Sequence, residues 1–168
     1  AQLIATLQGA PAISGGDITI FNGTTPSPTP SPTPTPTPPP PGSIVGTSGN
    51  DNLQGTTGND SIYGLGGNDT IYANSGNDWV QGGTGNDSYF VDTQGEAVEA
   101  ASEGIDTVKS TVSYDMTGQS VERLYLLADN TVGTGGTGND LIVGEGGVNT
   151  LDGGGGNDTM EGGVGNDL

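Results

Sequence analysis

The sequence predicts an all-β chain: a flattened roll of parallel strands in two blocks, separated by an insert and preceded by a proline-rich linker. Three observations carry that expectation. A Gly-Asn-Asp triplet recurs every nine residues, and an apolar side chain stands two places after almost every triplet. With 33 Gly among 168 residues and only 29% hydrophobic residues, the chain also has too little apolar material for a large conventional core.

From Ala1 to Thr25 the short alternation Asp17-Ile18-Thr19-Ile20-Phe21-Asn22-Gly23 suits a strand running into a turn, the end of a preceding domain. The stretch 26–42 follows, with ten prolines in the sixteen residues Pro26 to Pro41. Proline has no N–H to give a ladder and a fixed φ, so this is expected to be an extended polyproline II linker, about 3.1 Å per residue. An SH3-type ligand would want basic flanks, and they are absent.

The first block, 43–90, reads GTSGNDNLQ from Gly46, GTTGNDSIY from Gly55, GLGGNDTIY from Gly64, ANSGNDWVQ from Ala73 and GGTGNDSYF from Gly82. The second, 135–168, reads GGTGNDLIV from Gly135, GEGGVNTLD from Gly144, GGGGNDTME from Gly153 and GGVGNDL from Gly162. Glycines in the first six positions accept positive φ without steric cost, so those positions predict a turn and the last three a very short strand. The eighth position points inward: Leu53, Ile62, Ile71, Val80, Tyr89, Ile142, Leu151 and Met160. One inward side chain per nine residues implies two units per turn of the roll.

Twenty acidic residues against Lys109 and Arg123 give a net charge of -18, which excludes an electrostatic grip on nucleic acid or on an anionic membrane and favours cations. The absence of Cys and His removes disulfides, the usual zinc ligand sets, thiol nucleophiles and any Ser-His-Asp triad. Hard oxygen ligands remain. No apolar run approaches the roughly 18 residues that a membrane-crossing helix needs, so no direct membrane insertion is expected. The chain starts without Met and stops inside a repeat, as a fragment of a longer protein would, one that could carry a covalently linked upstream domain.

These units resemble the RTX, or haemolysin-type, calcium-binding repeat, a nonapeptide of the form GGxGxDxUx that builds a right-handed parallel β-roll. Eight in-phase Gly-Asn-Asp triplets carry the resemblance. It implies Ca²⁺ ions between stacked turns, held by the sixth-position Asp51, Asp60, Asp69, Asp78, Asp87, Asp140, Asp158 and Asp167. Backbone carbonyls near Gly46, Ser48, Gly55, Thr57, Gly64, Gly66, Gly82, Thr84, Gly135, Thr137, Gly153 and Gly155 would complete the shells. Asp51 would share an ion with Asp69, Asp60 with Asp78, Asp69 with Asp87, and Asp140 with Asp158. Asp167 faces Asn149 instead of an Asp, so that last site should be weak or empty. Ca²⁺ suits such a set because it takes six to eight oxygens in forgiving geometry.

Little apolar burial and crowded carboxylates together imply that metal binding and folding are coupled. The resemblance further implies a secreted or extracellular, non-catalytic module exported by type I secretion, and similar repeats also trail secreted hydrolases or form adhesins. The fragment itself shows no nucleophile-base pair, and the sequence names no glycan or surface partner.

In the insert, 91–134, the nine-residue phase is lost. Ile105, Val108, Val112, Val121, Leu124, Leu126 and Leu127 suggest strands in a spacer or cap covering the roll, with Lys109 and Arg123 answering nearby acids. Glu96, Glu99 and Glu103 have helix-like spacing and read as a solvated face. Tyr72 and Phe90 should stack outside the roll, with Tyr63 and Trp79 on the other sheet and packing against the insert favoured over glycan binding.

Overall fold

The computed structural model describes residues 39–93, 96, 97, 99 and 103–168; the strand expected within 1–25 and linker residues 26–38 lie outside the described residues. The linker ends in a turn, with the Ser43 N–H donating to the Pro40 carbonyl at 3.2 Å and Gly42 at φ 92°.

Strands β2 (Asn52–Gln54), β4 (Thr70–Tyr72), β6 (Ser88–Val91), β7 (Thr107–Ser110), β9 (Arg123–Leu126), β11 (Leu141–Gly144) and β13 (Thr159–Glu161) form one parallel sheet in that order. The opposite wall is made of two shorter parallel sheets. One joins β1 (Ile44–Val45), β3 (Ser61–Gly66) and β5 (Trp79–Thr84); the other joins β8 (Tyr114–Asp115), β10 (Val132–Thr134) and β12 (Thr150–Asp152). Leu53 pairs with Ile71 and Ile71 with Tyr89, so one coil is two nonapeptides, and the chain makes a β-solenoid of about six turns with no helix among the described residues.

Two inward ladders fill the roll. Ile71, Tyr89, Val108, Leu124 and Ile142 are buried along the long sheet, and Ile62, Val80 and Tyr114 along the opposite wall. Gly133 is small for a packing reason: a Cβ there would stand 3.0 to 3.1 Å from methyls of Leu126, Ile142 and Leu124. Met160, expected inside, is 49% exposed, because β13 is the outermost strand of its sheet and no described strand stacks on its far side.

Two further expectations are corrected. The insert is not a cap: β7 and β9 lie in the middle of the long sheet, so the two blocks share one continuous roll. Val108, Leu124 and Leu126 supply the alternation that a strand needs, and no glycine triplet is required for it. The turns are also shorter than expected in two units. β3 and β5 run six residues each, carrying the ladder through Leu65↔Gly83 and Gly66↔Thr84.

On the outer face of the long sheet, Tyr72 and Phe90 stack with centroids 4.4 Å apart, and Lys109 from the insert places Nζ 4.8 Å from the Phe90 centroid. Tyr63 and Trp79 meet on the opposite wall at 4.9 Å. The insert thus does pack on the first aromatic pair, as a neighbouring strand.

Candidate metal centre

Each sixth-position residue sits where a turn enters a strand, at one of the two edges of the roll, and its main-chain N–H faces the coil that follows. A carboxylate there satisfies it. On the first edge Asp51 N–H donates to Asp69 Oδ1 at 2.8 Å and Asp69 N–H to Asp87 Oδ1 at 2.7 Å. The line continues into the insert, from Asp87 N–H to Asp106 Oδ1 at 2.8 Å and from Asp106 N–H to Glu122 Oε2 at 2.9 Å. It resumes in the second block with Asp140 N–H on Asp158 Oδ1 at 3.0 Å. On the second edge Asp60 N–H donates to Asp78 Oδ1 and Asn149 N–H to Asp167 Oδ1, both at 2.8 Å. Every pair anticipated from the repeats is therefore brought together one coil apart.

The other carboxylate oxygen separates two kinds of turn. Asp51 Oδ2 accepts from the Thr47 N–H at 2.6 Å and hydroxyl at 2.9 Å, Asp60 Oδ2 likewise from Thr56, and Asp140 Oδ2 from the Gly136 N–H at 2.7 Å. In the units of Asp69, Asp78 and Asp87 the second position is left-handed, with Leu65 at φ 79°, Asn74 at 62° and Gly83 at 92°. No donor among the described residues reaches Oδ2 of these three aspartates, although all three are buried. A carboxylate out of water without partners is strongly unfavourable, so these oxygens mark places where a cation fits.

In units that begin with glycine, that glycine keeps room beside the Oδ2 of the sixth-position aspartate. A Cβ on Gly46 would stand 2.8 Å from Asp51 Oδ2 and 2.7 Å from the carbonyl oxygen of Gly64 in the next coil. The gap at Gly55 is bounded by Asp60 Oδ2 and the Ala73 carbonyl, at Gly64 by Asp69 Oδ2 and the Gly82 carbonyl, and at Gly135 by Asp140 Oδ2 and the Gly153 carbonyl. Of the other carbonyls named from sequence, Gly55 already accepts from Asn74 Nδ2 at 2.6 Å and Thr84 from the Gly67 N–H at 2.9 Å. Each keeps a second lone pair. Ser48, Thr57, Thr137 and Gly155 lie on the exposed loops, and Gly66 is buried.

Burial pushes the Asp87 carboxyl up to about 6, with Asp69 and Glu103 adding repulsion. Asp69, Asp78 and Asp140 move in the same direction, again chiefly through burial.

Asn149 is fully buried and shows the metal-free alternative. Its Oδ1 accepts from the Thr131 N–H at 3.3 Å, as an Asp Oδ1 accepts from a main-chain N–H elsewhere, and from the Thr131 hydroxyl at 2.8 Å, while Nδ2 donates to the Gly146 carbonyl at 3.0 Å. The amide supplies the positive end that a cation would otherwise supply.

The sequence reading missed Asp106, Glu96 and Glu122. Glu96 is 1% and Glu99 9% exposed, which overturns the solvated-face reading of that cluster; Glu96 lies eighteen residues after Asp78, in phase with the second edge. Asp106 had a legible marker, since Gly104-Ile105-Asp106-Thr107-Val108 repeats the Gly-x-Asp-x-apolar pattern with Ile in the Asn place. Its neighbour confirms the equivalence of position: Ile105 N–H donates to Asn86 Oδ1 as Asn86 N–H does to Asn68 Oδ1, both at 2.9 Å.

The donor set is oxygen alone. Among the described residues no three carboxylates converge on one point, so an ion must complete its shell with backbone carbonyls. That mixture suits Ca²⁺, with its high coordination number and tolerance of irregular geometry. No curated protein and no solved structure matches the chain at a significant level. A family model for the RTX calcium-binding nonapeptide repeat, four copies long, matches residues 45–80, 72–88 and 134–168, the units whose aspartates line the two edges. The repeats at 45–88 and 134–168 are thus those of the RTX calcium-binding family, which implies calcium binding in the β-roll.

Proposed function

We propose that this chain is a calcium-dependent folding module of a secreted or cell-surface protein, in which Asp51, Asp60, Asp69, Asp78, Asp87, Asp140 and Asp158 hold a file of Ca²⁺ ions along the two edges. The observation that carries this reading is the buried, unpartnered Oδ2 of Asp69, Asp78 and Asp87. Without cations these oxygens and the net charge of -18 oppose folding; with them, ligation and folding become one process. The repeats belong to a family typical of secreted bacterial proteins, which supports export unfolded from a calcium-poor cytoplasm and folding in a calcium-rich exterior. Asp167 contributes least, since its partner is the self-satisfied Asn149.

The test is circular dichroism of the whole chain in chelator and in millimolar calcium. A cooperative gain of β-structure on calcium addition is expected; identical spectra overturn the reading.

A further inference from the structure

The first acidic edge does not stop where the repeats stop. Asp87, the last sixth-position aspartate of the first block, stands between Asp69 on one side and Asp106 on the other, hydrogen-bonded to both by the same main-chain-to-carboxylate contact. Asp106 belongs to the insert, outside the residues the family model matches. Asp87 and Asp106 are each 1% exposed, and each keeps Oδ2 without a partner among the described residues.

A third carboxylate comes from between these coils. Glu99 is 9% exposed, and its Oε1 accepts from the Gly82 N–H at 3.0 Å and from the Tyr89 hydroxyl, while Oε2 has no partner among the described residues. A Cβ on Gly82 would meet Asp87 Oδ2 and the Tyr89 hydroxyl oxygen together, so the Asp87 and Glu99 carboxylates close on the same glycine. The chain's two basic side chains are placed elsewhere: Lys109 lies over the Phe90 ring on the outer face, and Arg123 is exposed. Three buried carboxylates, each with an unsatisfied oxygen, need a positive charge that the chain does not provide.

We propose that Asp87 and Asp106, with Glu99 entering from the coil between them, form a hard-cation site beyond the nonapeptide repeats that takes Ca²⁺. The pair is set one coil apart, as Asp69 and Asp87 are, and backbone carbonyls complete the shell because the carboxylates alone do not converge. The site would tie the insert into the metal file, so that calcium continues across the break in the repeat. This inference rests on calcium binding by the repeats themselves.

The experiment counts ions on the whole 168-residue chain by native mass spectrometry at saturating calcium, with circular dichroism confirming the fold. Asp106→Asn is expected to bind one ion fewer than the unaltered chain; an unchanged count overturns the inference and leaves the proton as the partner of these carboxylates. Should Asp106→Asn not fold, Glu99→Gln keeps the size and the Tyr89 contact. It is expected to weaken one site at least tenfold in a calcium titration, and a titration matching the unaltered chain overturns the inference. Failure of the unaltered chain to bind any calcium would instead defeat the reading of the repeats.

Discussion

Asp69→Asn exchanges one carboxylate oxygen for an amide in the middle of the first edge and keeps Oδ1, which accepts the Asp51 N–H at 2.8 Å. Asn149 shows what this exchange builds, an Nδ2 turned onto a loop carbonyl. For the introduced amide the nearby acceptor is the Gly82 carbonyl, which borders the same gap at Gly64 as Asp69 Oδ2. Without calcium, Asp69 is a charge that is 2% exposed with one unsatisfied oxygen. Relieving it is worth about 1–3 kcal/mol, and weakening the bond to Asp51 by removing its charge takes back about 1 kcal/mol. The calcium-free roll should therefore gain about 1 kcal/mol. With calcium the sign reverses, since a site filled at a hundred times its dissociation constant contributes about 2.7 kcal/mol, and that is lost. Both arms can be read by circular dichroism. Folding is driven by trimethylamine oxide in chelator, which strengthens burial without supplying an ion, and then by calcium at fixed osmolyte. The variant should need less osmolyte and more calcium. A variant that needs more osmolyte in chelator would show that the Asp69 carboxylate is satisfied without a cation, and the reasoning would fail.

Asn149→Asp should do the reverse: it removes the donor to the Gly146 carbonyl, raising the osmolyte demand in chelator, and adds one ion to the count by mass spectrometry, which must rise if the site is complete. Gly67→Ala places a Cβ 2.5 Å from the Gly49 carbonyl carbon and 2.7 Å from Asn50 N at φ 99°, so a loss of at least about 2 kcal/mol is expected as a raised calcium midpoint. An unshifted midpoint would contradict the close stacking of the loops. Burial raises the carboxyls of Asp87 and Asp106 from the ordinary 3.8 to about 6. Their contribution to the calcium-free roll is then fully present below about 3.8 and lost as pH rises through about 6, roughly 3 kcal/mol each before solvent screening and about half that after it. Osmolyte-driven folding in chelator should consequently be easier at pH 5 than at pH 7.5, while calcium affinity rises over the same interval; a pH-independent midpoint would refute both.

The repeats were legible because a nine-residue period fixes three things together: the turn, the inward residue and the carboxylate. Leu53, Ile71 and Tyr89 could be assigned to one wall, and Asp51, Asp69 and Asp87 to one edge, by counting eighteen. Counting fails in the insert because its coils differ in length. Asp87 reaches Asp106 across nineteen residues and Asp106 reaches Glu122 across sixteen. Backbone pairing tolerates such changes, since surplus residues are absorbed at the edges while Val108 and Leu124 keep the inward register. Glu96 and Glu99 were misread for a related reason. Three acids at helical spacing look solvated in isolation, and only the stacking of a further coil buries two of them. Met160 shows the converse, an inward position in sequence left open by its place at the sheet margin.

The chain of contacts from Asp51 through Asp69 and Asp87 to Asp106 has a mechanical meaning. Tension applied between the two ends of the polypeptide would not load these bonds all at once; it would peel the outermost coil while the rest stays in register, as a thread leaves a spool. Each released repeat coil of eighteen residues lengthens the tether by about 60 Å at some 3.4 Å per residue, so the repeat blocks would yield in even steps and the insert in uneven ones, with heights set by bound calcium.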